Sequence, residues 1–152
     1  LKFFYQPKFN TMPFLEILYG SQFEEIKKMG KDGNKGRLNA NIFLSVMLMM
    51  VLGIIFLGLK ILSGQFSQEL SGFYDSYLDG FSGRSLGKII AIPFMAISYL
   101  IVSKTVGTEA KFKIYTENYM QYPEDVKKQS NKKLLVPFFV LFACIILLGF
   151  MA

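Results

Sequence analysis

Residues Leu38 to Leu59, LNANIFLSVMLMMVLGIIFLGL, form a run of 22 residues without a Lys, Arg, Asp or Glu. At a rise of about 1.5 Å per residue, about 20 such residues cross the hydrocarbon core of a bilayer. A soluble helix keeps one polar face, and this run has none, so it reads as a transmembrane helix. Two weaker apolar runs follow, Ile89 to Ser103 and Leu134 to Ala152. The first is short, but Lys88 and Lys104 at its ends can snorkel outward and restore a full span. The predicted fold is an all-α integral membrane protein. It has three transmembrane helices, with amphipathic interfacial helices before and between them.

The implied organisation is an N-terminal arm over residues 1–37, a first span over 38–60 and an amphipathic aromatic helix over 61–85. A second span over 86–107, a basic segment over 108–133 and a third span over 134–152 complete it. The N-terminal ten residues mix Phe3, Phe4, Tyr5 and Phe9 with Lys2 and Lys8, and show no signal-peptide pattern. A helix is expected from Thr11, with Pro13 in its first turn and an apolar face of Phe14, Leu15, Leu18, Phe23, Ile26 and Met29. Gly20 should weaken it by about 1 kcal/mol relative to Ala. The stretch GKDGNKGR, Gly30 to Arg37, lacks the P-loop spacing and reads as a flexible basic connector.

Two aromatic stripes point to surfaces that must be covered. Phe66, Leu70, Phe73, Tyr74, Tyr77 and Phe81 recur at helical spacing within 63–85, with Glu69, Asp75 and Asp79 on the other side. Phe112, Tyr115 and Tyr119 repeat like a coiled-coil seam, on a helix expected to continue the second span as far as Tyr122. Both stripes are assigned to contacts with other integral membrane subunits, with the outer leaflet as the alternative surface for the Phe66–Phe81 stripe; the small residues Gly87 and Ala91 are assigned to such contacts too. Replacing Phe73 and Tyr77 by Ser should weaken such contacts without affecting insertion.

The net charge of +6 lies in the segments flanking the apolar runs. That pattern suits anionic headgroups, with Lys27, Lys28, Lys35, Arg37, Lys127, Lys128, Lys132 and Lys133 as contacts, rather than nucleic acid. Seven basic residues precede the first span, three lie between the first and second, and seven between the second and third. The positive-inside rule then places the N-terminus in the cytoplasm and the C-terminus outside, across a bacterial inner membrane.

Chemistry is sparse. There is no His, and the single Cys, Cys144, lies in an apolar run. No catalytic set, metal site or cofactor site is expected: nothing stands ready to activate a nucleophile, and no ligand cluster recurs at metal spacing. A Met cluster at Met47, Met49 and Met50 reads as packing rather than a copper site. The expected role is a non-catalytic accessory subunit of an energy-converting, secretion or transport assembly. The competing reading is a small homo-oligomeric channel or transporter, lined by Pro93, Ser98 and Tyr99.

Overall fold

The computed structural model describes residues 12–62 and 83–151, and every regular element among them is helical. These are α1 (Phe14–Lys28), α2 (Lys35–Leu62), α3 (Gly83–Thr105), α4 (Glu109–Gln121), α5 (Glu124–Lys133) and α6 (Val136–Met151). The aromatic stripe from Phe66 to Phe81 falls on residues outside the described ones.

Two of these helical runs, Lys35–Leu62 and Glu124–Met151, are long and apolar enough to cross a membrane. A third span is reached only if Ala91–Thr105 is counted together with the helix that follows it. α3 runs through Pro93 without interruption. The missing N–H at Pro93 leaves the Ile89 carbonyl without its helical donor, a common arrangement in membrane helices.

The described helices divide into two units. A polar unit comprises the chain up to Ala40 together with Gly107–Leu135; an apolar unit comprises Asn41–Val106 and Val136–Ala152. In the polar unit α1 packs along α4 and, more lightly, against α5. Its core is Met12, Ile17, Leu18, Tyr19, Ile26, Phe112 and Tyr119, all buried. Among the described residues of the apolar unit most large side chains remain exposed, including Ile92, Phe139 and Leu147. Such a surface suits a hydrocarbon solvent, where exposing Leu or Ile carries no hydrophobic penalty.

Two hydroxyls of the apolar unit are satisfied locally. Ser45 Oγ donates to the Asn41 carbonyl at 2.6 Å, and Thr105 Oγ1 donates to the Ile101 carbonyl at 2.6 Å. This back-bonding to the preceding turn removes the cost of a bare hydroxyl in an apolar setting. Rings from two helices meet where Phe43 of α2 lies 5.7 Å from Phe138 of α6.

Two local expectations need correction. α1 starts at Phe14, not Thr11, and Pro13 is its N-cap, with its carbonyl accepting from Ile17 N–H at 3.1 Å. The second span does not continue to Tyr122. α3 ends at Thr105, and Thr108 caps a new helix by accepting from Lys111 N–H at 3.4 Å. A Gly-Thr pair, Gly107-Thr108, supplies a flexible joint and an N-cap in succession, which is a stop and a fresh start.

Candidate functional site

The polar unit concentrates the aromatic and charged groups. Tyr19 of α1 lies between two rings of α4, edge-on to Phe112 at 5.9 Å and stacked on Tyr115 at 5.3 Å. Phe23, one turn along α1, meets Phe112 edge-on at 6.1 Å. Phe112, Tyr115 and Tyr119 were expected to face a partner subunit. Instead α1 of the same chain covers them, and Phe112 and Tyr119 are buried. The seam did require a cover, and the nearest apolar face was intramolecular. Ala91, from the other proposed contact, is exposed, and Gly87 lies one turn before it in α3.

Gly20 explains how α1 and α4 come so close. A Cβ at that position would run into the Tyr119 Cβ and ring. The glycine costs helix propensity but admits a large ring against the α1 backbone.

The stretch from Gly30 to Arg37 is not a loose connector. Gly30 takes φ +72°, a value that favours glycine. Asp32 Oδ1 accepts from Asn34 N–H at 3.0 Å, an Asx turn, and the Lys35, Gly36 and Arg37 amides donate to the carbonyls three residues earlier. A Cβ on Gly33 would enter the Phe23 ring, and one on Gly36 would sit 2.8 Å from the Phe23 backbone nitrogen. Turn chemistry was legible there; the close packing of Gly33 and Gly36 on α1 was not.

Around Tyr119 lies a polar cluster that the sequence did not announce. Asn131 Nδ2 donates to the Tyr119 hydroxyl at 3.0 Å. Lys127 is buried, with Nζ 5.2 Å from the Tyr119 ring centroid and 3.3 Å from Glu124 Oε1. Lys127, expected to contact headgroups, instead places its ammonium over the Tyr119 ring. A ring face and a carboxylate together replace the water its ammonium loses. On α1, the Lys28 ammonium sits 2.8 Å from Glu24 and holds that carboxyl below its ordinary range; partial burial opposes the shift and Lys127 adds to it. Burial pushes the Tyr119 phenol up, against the hydrogen bond from Asn131. Glu16 ties α1 to α4 separately: Asn118 Nδ2 donates to Oε1 at 2.7 Å and the Tyr122 hydroxyl to Oε2 at 3.4 Å.

The remaining expected headgroup contacts are more open. Lys27, Lys28, Lys35, Lys128, Lys132 and Lys133 are exposed. Arg37 is half-exposed, with Nη1 4.0 Å from Glu109 Oε2. Two open grooves adjoin the α1–α2 turn. One, about 860 Å³, has Phe23, Phe112 and Met120 on its floor and Lys27, Lys31 and Lys113 on its walls. The other, about 590 Å³, lies between the end of α1 and the first turn of α2. Sequence reasoning missed Tyr19, although Leu15, Tyr19 and Phe23 recur every four residues and mark it as part of the apolar face.

Comparison with known proteins finds no matching family, no matching curated protein and no matching solved structure.

Proposed function

We propose that this chain is a non-catalytic accessory subunit of a larger membrane complex, crossing a bacterial inner membrane three times. What carries the reading is the state of its apolar helices. Almost none of the most apolar stretches of Lys35–Leu62 and Glu124–Met151 is buried within the chain. Among the described residues, a Cβ added at Gly53, Gly58 or Gly149 would meet no atom within 4 Å. Glycines open on the outer faces of membrane helices are where a second helix can approach closely. These helices thus offer intramembrane contact surface that the described residues leave uncovered.

The three-span count draws support from the polar unit. α1 precedes the first apolar helix, and α4 and α5 follow the second, yet they share one core. With α2 read as a span, a shared core on one side is consistent with α3 crossing back, and so supports counting α2 and α3 as a pair. The distribution of basic residues, seven, three and seven, names that side as the cytoplasm and leaves the C-terminus outside.

Purification of the tagged full chain in mild detergent tests the role. Other integral membrane chains should be recovered in fixed stoichiometry. Recovery of a homo-oligomer alone, with ion or solute flux in liposomes, would replace this reading with the channel.

A further inference from the structure

We propose that the groove between the end of α1 and the first turn of α2 is a binding site for one anionic phospholipid, held by its phosphate and the upper part of its acyl chain. The proposal rests on the reading of α2 as a membrane span.

The groove holds about 590 Å³, within the usual range for small-ligand sites. Its walls divide by chemistry. Met29 and Leu38 are 60% and 50% exposed, a pair of large apolar side chains beside the floor residue Ile26. Lys31 and Lys35 stand on the same groove, both exposed. Among the described residues neither has an ion-pair partner, whereas Lys28, Arg37, Lys113 and Lys127 each have a carboxylate. A free phosphate would engage the cations and leave Met29 and Leu38 in water. A bare acyl chain would do the reverse. An anionic lipid satisfies both halves at once.

The register along α2 agrees. Lys35 opens the helix, and the uncharged run starts one turn later at Leu38. With that run in hydrocarbon, the Lys35 ammonium lies at phosphate depth. Glu25 also lines the groove and opposes an anion there.

The test uses the full chain in nanodiscs of phosphatidylcholine with a minor share of phosphatidylglycerol, followed by native mass spectrometry of retained lipid. The wild type should retain phosphatidylglycerol preferentially. Lys31→Gln with Lys35→Gln should cut that preference about tenfold, and Glu25→Gln should raise it. Lys111→Gln with Lys113→Gln removes the same charge elsewhere, at exposed residues outside the groove, and should leave it nearly unchanged. No preference in the wild type, equal loss in both double variants, or displacement by millimolar glycerol phosphate would overturn the site while leaving the membrane reading intact. Release of the wild type from membranes by alkaline carbonate would remove the membrane reading, and the site with it.

Discussion

The ring of Tyr119 occupies the space that a Cβ on Gly20 would need. The atoms in the way are the Tyr119 Cβ, Cγ and Cδ1, the anchored end of the side chain, so rotamer adjustment offers little relief. Gly20→Ala should therefore destabilise the polar unit, although Ala is the better helix former. Overpacking costs about 1–3 kcal/mol and propensity returns about 1. In a Tyr119→Gly background, which removes all three blocking atoms, the same change should become stabilising. Thermal unfolding of the detergent-solubilised chain, run as a double-mutant cycle, measures both signs; simple additivity would show that the two residues do not compete for space.

Tyr119 also sets an alkaline limit. Its folded-state pKa is raised by burial, so the folded state holds the phenolic proton more tightly than the unfolded chain. That contribution is complete below the ordinary phenol pKa, near 10, and is lost as pH rises through the higher folded value. Tyr119→Phe should lower stability at neutral pH by about 1 kcal/mol through the lost Asn131 hydrogen bond. It should also flatten the decline above pH 10 relative to wild type. Unfolding midpoints across the alkaline range would show it, and parallel curves would count against a buried phenol.

The acid side belongs to Glu24. Its depressed pKa means that the stabilisation is present above the ordinary carboxylate value and lost as pH falls through the folded one. The gap in stability between wild type and Lys28→Met should therefore close as pH drops below about 4. The effect is small because the Lys28 side chain is 71% exposed. A gap that persists at pH 3 would point to packing rather than charge.

Glu16 links α1 to both Asn118 and Tyr122. Glu16→Ala leaves two donors without their shared acceptor and should cost about 1–2 kcal/mol. Glu16→Gln retains an acceptor and should cost less. Limited proteolysis between α1 and α2 reports the loosening; equal protection in the two variants would mean that these bonds contribute nothing.

Reporter fusions check the crossing count. A cytoplasm-active reporter should work after Arg37 and after Gln129, and an exterior-active one after Ala152. Activity of the cytoplasmic reporter at Ala152 would require an even number of spans.

How much of this was legible depended on what kind of rule each residue obeyed. The 22-residue run marked a helix long and apolar enough to span, because length and missing charge suffice for that. The spacing of Phe112, Tyr115 and Tyr119 announced a face that needed covering. Periodicity names a face without naming its cover, so α1 was not foreseen. Gly20, Gly33 and Gly36 looked like weak or flexible points. A glycine that admits a neighbour and one that merely bends look alike until the neighbour is known. Lys127 was grouped with Lys128, yet Lys127, Asn131 and Leu134 are spaced four and three apart and share the inward face of α5 and its end.

The polar unit is assembled from two stretches of chain separated by two apolar helices, and this has a consequence for biogenesis. When α1 leaves the ribosome, its partner α4 has not been made. At cellular elongation rates the delay is on the order of ten seconds. Throughout that interval Tyr19, Phe23 and the bare backbone at Gly20 have no native cover, which is the condition under which chaperones or the insertion machinery engage a nascent chain. On the proposed three-span topology, closure of α1 on α4 would report that both intervening helices have been threaded and have returned to the same side. A chain whose second helix failed to insert would leave α4 stranded and α1 uncovered, marking the product for degradation. On that topology the aromatic core would double as a checkpoint on the membrane segment made between its two halves.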